Sequence, residues 1–267
     1  MKKIVTLQEK ESIICIKYFL NFEIERILTL IKTFKMGDDI IPLDDNSYNI
    51  IPDELKSLFE RLNKKYPECI YKKVTFSKGE NILKQGSFFS HQTILLNGLV
   101  KIVLEAENKK NYIFKLSLPG EFIGLSALFH DETSPFSAIC MCDSEVGLIK
   151  QNFFEELFWE DSDFQKYVMK LRSGYFRLVY EKLKLQATRN SYGKLAHVIL
   201  YIKQLQDIMP DIYQYITRKD IADLAGVSLE SVMKILNEFK GDRIININDK
   251  DISINAQELL ERLVIIG

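Results

Sequence analysis

The spacing of apolar residues divides the chain into stretches with different secondary-structure patterns. From Tyr71 to about Leu148, short apolar runs alternate with glycine and turn residues, which is typical of many short strands in a sandwich, roll or barrel. After Gln151 the apolar positions recur mainly at helical spacing. Residues 1–36 also have a helical pattern, with apolar positions around much of the circumference. The sequence therefore predicts an α+β protein in which a β-rich region precedes a helical one.

The first long helical segment after Gln151 carries an apolar seam with heptad spacing. Its positions alternate by four and three residues: Phe164, Val168, Leu171, Tyr175, Leu178, Lys182 and Leu185. A helix with such a stripe either packs on its own domain or pairs with a copy of itself. Because a small β-domain is too short to cover so long a helix, the seam predicts a homodimer.

The sharpest local signal is segment 217–236, which has the spacing of a helix-turn-helix. Gly226 would end the first helix in a left-handed conformation, and Ser228 would cap the second. The predicted core anchors are Ile221, Ala222, Leu224 and Ala225 in the first helix and Val232, Ile235 and Leu236 in the second. A plain helical hairpin is the alternative, but the agreement of all these positions favours a second helix placed for the major groove.

Two runs downstream, 243–247 and 251–254, alternate by two residues around Asn248-Asp249-Lys250 and predict a β-hairpin wing. The chemistry expected here is binding, with no bond-making step. Glu230 would accept from a cytosine amino group, and Lys234 would donate to guanine. Hydroxyl groups and Lys219 would fix the register on phosphates. The predicted DNA-binding residues are Thr217, Arg218, Lys219, Ser228, Leu229, Glu230, Ser231 and Lys234.

The composition fits two domains and narrows the protein class. The chain has 267 residues, of which 46% are hydrophobic and 27% charged, enough for ordinary cores. Its net charge of −1 means that any basic surface for nucleic acid must be local. Charged residues interrupt the apolar stretch 13–34, and the N-terminus lacks a signal-peptide pattern. A cytoplasmic protein with no membrane partner is predicted.

Four cysteines are scattered along the chain, which suits a reducing compartment. Cys140 and Cys142 would point to one face of a strand, and we interpret them as two buried thiols. Neither they nor Cys15 and Cys69 have the Cys-x-x-Cys spacing of a zinc or iron–sulfur site.

The order of these parts resembles the Crp/Fnr family of bacterial regulators over roughly residues 52–255. Two segments carry the resemblance. One is Pro119-Gly120-Glu121-Phe122-Ile123-Gly124 followed by Ala127-Leu128-Phe129, and the other is the helix-turn-helix with its wing. The resemblance implies a β-roll sensor domain (a double-stranded β-helix, jelly-roll-like), a central dimer helix and a dimer on a two-fold operator, with half-sites about 34 Å apart.

On this basis the chain is predicted to have four segments. An N-terminal helical extension of unknown role covers 1–51, and the β-roll effector domain covers 52–160. The dimerisation helix covers 161–187, and the C-terminal winged helix-turn-helix domain covers 188–267.

The sequence departs from the family at the positions that bind cyclic AMP. Where cyclic-AMP-binding members have a glutamate for the ribose and an arginine for the phosphate, this chain has Leu125 and Phe136. The polar pair that meets adenine is replaced by Val179 and Tyr180. A buried phosphate would lose its charge partner, so cyclic AMP is not expected. The candidate pocket for another small effector is Gly120, Phe122, Leu125, Phe136, Ser137, Val179 and Tyr180.

The predicted recognition helix departs as well, because the family's two arginines are Leu229 and Lys234 here, and the operator should therefore differ from that of the cyclic-AMP regulator. No cofactor is evident. The cysteine cluster of the iron–sulfur members is absent, and haem bound by His91, His130 or His197 is disfavoured because lone histidines are usually surface or core residues.

Two other functions remain as alternatives. A cupin-type enzyme would need clustered histidines and a carboxylate, which three well-separated histidines do not provide, so no catalytic residues are predicted. A ligand-sensing module that binds another protein through a degenerate helix-turn-helix is the second alternative. The favoured partners are double-stranded DNA and a second copy of the chain, with RNA polymerase and an unknown small-molecule effector as further candidates.

Overall fold

The computed structural model describes residues 72–107, 111–125 and 133–267. Several predictions fall outside these ranges: the helical extension at 1–51, the first twenty residues of the β-roll segment, Cys15, Cys69, His130 and the Ala127-Leu128-Phe129 part of the family resemblance. All described residues belong to one compact unit.

The described residues of the β-rich region form eight strands in two four-stranded antiparallel sheets. The strands are β1 (Lys72–Phe76), β2 (Asn81–Leu83), β3 (His91–Asn97), β4 (Val100–Leu104), β5 (Tyr112–Ser117), β6 (Phe122–Ile123), β7 (Ser137–Cys140) and β8 (Ser144–Lys150). One sheet has the order β1-β8-β3-β6 and the other β2-β7-β4-β5. Side chains from both sheets, including Leu95, Val100, Phe136 and Val146, share a core, which confirms the predicted β-roll.

A tight corner between β3 and β4 depends on Gly98. Its φ of 106° lies in the left-handed region, and an added Cβ would come within 2.2 Å of the Ser144 hydroxyl oxygen. Only glycine fits this position without displacing the neighbouring strand. The turn brings β4 against β5 and β7.

The helical region begins where β8 ends. Its elements are α1 (Gln151–Glu160), α2 (Ser162–Thr188), α3 (Ser191–Ile208), a 3₁₀ turn (Ile212–Gln214), α4 (Arg218–Ala225), α5 (Leu229–Gly241), the hairpin strands β9 (Ile245–Asn248) and β10 (Asp251–Ile254), and α6 (Gln257–Ile266). Side-chain caps mark the starts of the long helices: Asp161 accepts from the amides of Asp163 and Phe164, and Asn190 accepts from those of Tyr192 and Gly193.

The heptad seam of α2 lies largely against its own chain, which buries Phe164, Val168, Lys182 and Leu185, whereas Tyr175 remains 37% exposed. Phe164 and Val168 are buried against α1, and Leu178 packs on the core of the β-roll. The ring of Tyr175 lies 5.4 Å from that of Phe114 on β5, and Leu185 is buried. We call Phe164, Val168, Leu178 and Leu185 the inner stripe. The β-roll, α1 and α3 together cover more of the helix than the sequence argument allowed.

A second apolar stripe on α2 is exposed in the single chain. Phe176, Tyr180 and Leu183, spaced by four and three residues, are 56%, 61% and 64% exposed. We call them the outer stripe. It lies roughly 140° around the helix from the inner stripe at 3.6 residues per turn. The helix therefore has one apolar face covered by its own chain and another that its own chain leaves more than half exposed.

The β-roll and the C-terminal helices share one hydrophobic core. From the β-roll it includes Leu99, Val103, Ile113, Leu116, Leu118 and Met141, and from the helices it includes residues of α3, α4, α5 and α6. The Tyr201 hydroxyl on α3 accepts from the Leu116 amide at 2.9 Å and lies 3.3 Å from its carbonyl oxygen. The strands β4 and β5 thus complete the core of the domain that follows α2.

Two further sequence expectations can be compared with the described residues. Cys140 is the last residue of β7 and is buried, whereas Cys142 lies beyond the strand end and is only half-buried, so the two do not form a pair of strand thiols. Within the described ranges, no helix combines the length and apolar character needed to span a membrane.

Candidate nucleic-acid interface

Side-chain caps and one glycine set the geometry of the helix-turn-helix. Thr217 accepts from the Asp220 amide while the Asp220 carboxylate accepts from the Thr217 amide, a complete capping box at the start of α4. Gly226 ends α4 with a φ of 67°, as predicted. An added Cβ there would lie 2.9 Å from the Gln186 amide oxygen of α2. Ser228 then caps α5 by accepting from the Ser231 amide, also as predicted.

Helix α5 has one buried and one exposed face. The buried face consists of Val232, Ile235, Leu236 and Phe239. Leu229, Glu230, Met233 and Lys234 are exposed at the N-terminal end, and Ser231 is half-buried. This end of the second helix is the part that meets base edges in helix-turn-helix proteins. The structure therefore brings the predicted α5 residues together on one accessible surface.

The cationic side chains near this surface already have partners in the chain. Lys219 forms an ion pair with Asp223, and Lys234 Nζ lies 3.9 Å from a Glu238 carboxylate oxygen. Both pairs are exposed and hold their cations only weakly against a phosphate. Thr217, predicted as a phosphate donor, instead gives its hydroxyl to the Asp220 carboxylate at 2.6 Å.

The predicted wing is present beside α4. Strands β9 and β10 pair from Asn248–Asp251 to Ile245–Ile254, so the turn is the dipeptide Asp249-Lys250, one residue shorter than expected. Arg218 donates from its guanidinium to the Asp249 carbonyl oxygen at 3.1 Å. Arg218 is half-buried, and this contact ties the start of α4 to the wing turn.

A partly buried ion pair joins the β-roll to the helix-turn-helix, and sequence reasoning missed it. Lys101 on β4 donates to the Asp220 carboxylate at 2.6 Å, across 119 positions of sequence. Burial raises the pKa of Asp220, but the hydrogen bonds from Lys101 and Thr217 outweigh it and hold that pKa below its usual value. The capping box was visible in the sequence, whereas nothing local pointed to Lys101.

A polar cluster lies buried where α2 meets α3. Lys182 Nζ sits 5.1 Å from the centre of the Tyr201 ring and has no hydrogen-bond partner. Burial lowers the pKa of Lys182 to about 8. Burial and the nearby Lys182 charge lower the pKa of His197 to about 3, and its Nδ1 is unpaired. Lys182 was assigned to the dimer seam from the sequence, but it is a buried residue of this joint.

The residues of the predicted effector pocket have different surroundings in the single chain. Phe122 and Leu125 pack toward α1, with the Phe122 and Phe154 rings 5.5 Å apart. Phe136 is buried in the β-roll core, against which Val179 packs. Tyr180 belongs to the outer stripe, and Gly120 donates from its amide to the Leu95 carbonyl oxygen. The common pocket therefore stays a prediction.

The last predicted pocket residue, Ser137, is engaged with a carboxylate. Its hydroxyl donates to Glu105 at 2.6 Å and accepts from the Gln85 amide at 2.9 Å. Lys84 donates to both Glu105 oxygens at 2.9 Å. The Lys84 and Ser137 hydrogen bonds lower the pKa of Glu105. A protein carboxylate, not a ligand, thus uses the donors next to Phe136.

In the described ranges, no three His, Cys, Asp or Glu side chains come together as metal ligands. Of the histidines proposed for haem, His91 places Nδ1 2.9 Å from the Ser90 hydroxyl, and His197 is enclosed in the α2–α3 joint.

Two family models match the chain, in the same order as the two structural regions. Residues 73–161 match the cyclic nucleotide-binding domain, and residues 193–263 match the Crp-like helix-turn-helix domain. Together they cover more than half of the chain. Both matches agree with the described fold, the first with the β-roll and α1 and the second with α3 to α6.

Known regulators are similar over most of the chain. The fumarate and nitrate reduction regulatory protein of Vibrio cholerae is 23% identical over 199 residues, 73% of this chain and 79% of that protein. Its counterpart in Escherichia coli is 22% identical over 84% of this chain and 85% of that protein. The structure of FixK2 from Bradyrhizobium japonicum superposes with a TM-score of 0.63 at 18% identity, over 72% of this chain and 96% of that one. At this identity the superposition shows the shared fold.

Proposed function

Because this chain belongs to the Crp/Fnr family of DNA-binding transcription regulators, which are not enzymes, we propose that it binds a specific two-fold operator as a homodimer. We further propose that its β-roll responds to an effector other than cyclic AMP, or to none. The observation that carries the proposal is the capped, half-exposed helix α5. A helix anchored by one face and open at its N-terminal end has the geometry needed to enter the major groove.

The outer stripe of α2 supports a second copy of the chain as the dimer partner. Three large apolar side chains at heptad spacing, Phe176, Tyr180 and Leu183, match the requirement for helix pairing. Dimerisation is typical of the family. The seam of the proposed dimer is therefore the outer stripe, and the inner stripe keeps each helix on its own β-roll.

Replacement of the expected phosphate partner supports an effector other than cyclic AMP. Phe136 is an apolar core residue, and the neighbouring Ser137 hydroxyl is hydrogen-bonded to the Glu105 carboxylate. A cyclic phosphate at this place would meet the Glu105 carboxylate, and the nearby cation, Lys84, is already paired with that carboxylate. Leu125, in place of the ribose-binding glutamate, offers no hydrogen bond. We also propose that the protein contacts RNA polymerase and is located in the cytoplasm.

The proposal is tested by selecting bound fragments from genomic DNA and measuring affinity for the selected duplex over a salt series. We expect a two-fold sequence with half-sites about one helical turn apart and an affinity that falls steeply as salt rises, because phosphate contacts release counterions. Enrichment of no sequence, together with salt-independent binding, would refute it.

The dimer seam is tested with Leu183→Asp. A buried charge on the outer stripe should monomerise the protein and lower operator affinity at least 100-fold, while the circular dichroism spectrum stays unchanged. Leu259→Asp on α6, at a leucine that is 43% exposed, is the matched control and should remain dimeric. Sedimentation velocity measures both. A dimeric Leu183→Asp protein with full operator affinity would disprove this seam.

The second candidate function is a ligand-sensing module that binds a protein through a degenerate helix-turn-helix. The observation in its favour is the exposure of two apolar residues, Leu229 and Met233, where many DNA readers carry polar groups. The same salt series separates the two functions, because an apolar protein contact weakens little with salt.

A further inference from the structure

Two long apolar side chains lie at the exposed N-terminal end of α5 and take no part in the core. Leu229 is 42% exposed and Met233 is 43% exposed, although both belong to residue types that are usually buried. They are four residues apart, so they lie on the same side of the helix, about 6 Å apart along its axis. The anchoring of α5 needs neither, because Val232, Ile235, Leu236 and Phe239 fill the other face.

The polar groups around these two side chains include two charged residues but no arginine. Glu230 and Lys234, the flanking residues, carry opposite charges, and Lys234 also faces Glu238 at 3.9 Å. No arginine, the residue that reads guanine with two hydrogen bonds, stands in the first two turns of α5. Apolar contacts therefore form a large part of what this surface can offer to base edges.

Only one apolar group marks a base pair in the major groove, namely the C5-methyl group of thymine. Resting on the proposed operator binding, we propose that Leu229 and Met233 contact thymine methyl groups and so determine the sequence preference of α5. Their axial separation of about 6 Å corresponds to roughly two steps of about 3.4 Å along a strand. Each half-site should then contain two thymines one or two base pairs apart.

Glu230 has a complementary role in this readout. Its exposed carboxylate lies between the two apolar side chains in sequence and accepts hydrogen bonds only, so it fits the amino group of cytosine and repels the acceptor edge of guanine. A cytosine adjacent to the thymines is expected. This pattern differs from a half-site read by arginine on guanine.

The test uses the full-length protein and the duplex selected from genomic DNA. Each thymine of the half-site is replaced in turn by uracil, which removes one methyl group and keeps every hydrogen bond. At the two contacted positions we expect about fourfold weaker binding per half-site, the value of one buried methyl group. Uracil at thymines outside the half-sites serves as the control and should leave the affinity unchanged.

Protein variants identify which side chain contacts which methyl group. In Leu229→Ala, uracil at one of the two positions should no longer weaken binding, and in Met233→Ala the same should hold for the other. Leu259→Ala, at an equally exposed leucine of α6, should retain the full effect of uracil. A methyl group added at a different position, as 5-methylcytosine at the neighbouring cytosine, should not restore the affinity of the uracil-containing duplex.

The possible outcomes separate the two hypotheses. Tight, salt-dependent operator binding that is indifferent to uracil would overturn the methyl readout and leave the proposed function standing. A selected half-site without thymines would also overturn it. Absence of any selective DNA binding would overturn both.

Discussion

The two apolar stripes of α2 have similar composition but opposite surroundings. On the inner stripe, Phe164 and Val168 are 2% and 0% exposed and pack against α1. On the outer stripe, Phe176 and Leu183 are more than half exposed in the single chain. Heptad spacing marks both equally, since it reports that a helix face is apolar and not which surface covers it. The inner stripe fixes the helix to its own domain, and the outer stripe is free to pair.

The largest expected difference between the stripes comes from a matched pair of phenylalanines. Phe164→Ala should lower the free energy of unfolding by about 3–5 kcal/mol, because it leaves a cavity between α1 and α2. Phe176→Ala should change the unfolding of the monomer by less than about 0.5 kcal/mol and instead raise the dimer dissociation constant. Urea unfolding and sedimentation measure the two effects. Equal losses of monomer stability would show that the stripes are not different environments.

A second experiment breaks the ion pair between the β-roll and the helix-turn-helix. Lys101→Met should cost about 2–3 kcal/mol of unfolding free energy, since it leaves the Asp220 carboxylate buried without its cation. Because the pKa of Asp220 is lowered in the folded state, this contribution is present above its unfolded pKa and is lost as the pH falls through the folded value.

Lys84→Met, which removes the exposed partner of Glu105, provides the control for Lys101→Met. It should cost less than about 1 kcal/mol. Urea titrations at pH 7 compare the variants, and equal losses would argue against a special role of the buried pair.

The buried His197 makes the joint sensitive to acid. Its pKa of about 3 lies below the usual 6.5, so between these values the unfolded chain binds a proton that the folded chain does not. Stability should therefore fall as the pH drops from 7 to 5, by about 2 kcal/mol from this residue. His197→Gln should flatten the decline, whereas His91→Gln on β3 should not. Thermal unfolding across this pH range gives the comparison, and an unchanged slope in His197→Gln would contradict it.

The smallest expected effect has the opposite sign. Burial of the Lys182 ammonium costs about 3 kcal/mol, judged from its pKa of about 8, and the Tyr201 ring offsets about 1–2 kcal/mol of this. Lys182→Met should therefore stabilise the protein by about 1–2 kcal/mol at pH 7. The gain should shrink as the pH rises above 8, where the folded chain sheds the proton. A destabilised Lys182→Met at pH 7 would refute the assignment of a buried, unpaired charge.

The helix-turn-helix could be predicted from the sequence because its signals are local. Thr217, Gly226 and Ser228 each act within four residues of their own position, as caps or as a left-handed turn. The wing was equally accessible, since alternation by two residues depends only on neighbouring positions. Contacts of this kind join residues that are close in sequence, so one sequence is enough to predict them.

Contacts between distant segments left no such pattern. Lys101 contacts Asp220, which lies 119 positions further along the chain. Ser137 on β7 contacts Glu105, which lies 32 positions earlier, just after β4. The family resemblance indicated that Leu125, Phe136 and Tyr180 correspond to pocket positions, but it did not predict which residues surround each of them. Lys182 looked like a polar member of a seam, and its burial against Tyr201 follows from how α2 and α3 pack.

The shared core of β4, β5 and the C-terminal helices limits how such a regulator can be divided. A boundary at residue 188 separates the chain into two lengths but cuts through a single hydrophobic interior. Chimeras that graft the C-terminal part onto another β-roll would have to carry Leu99, Val103 and Leu116 with it. An exchange of C-terminal domains between relatives should therefore give a folded protein only where strands β4 and β5 of the recipient have been changed to match the new helices.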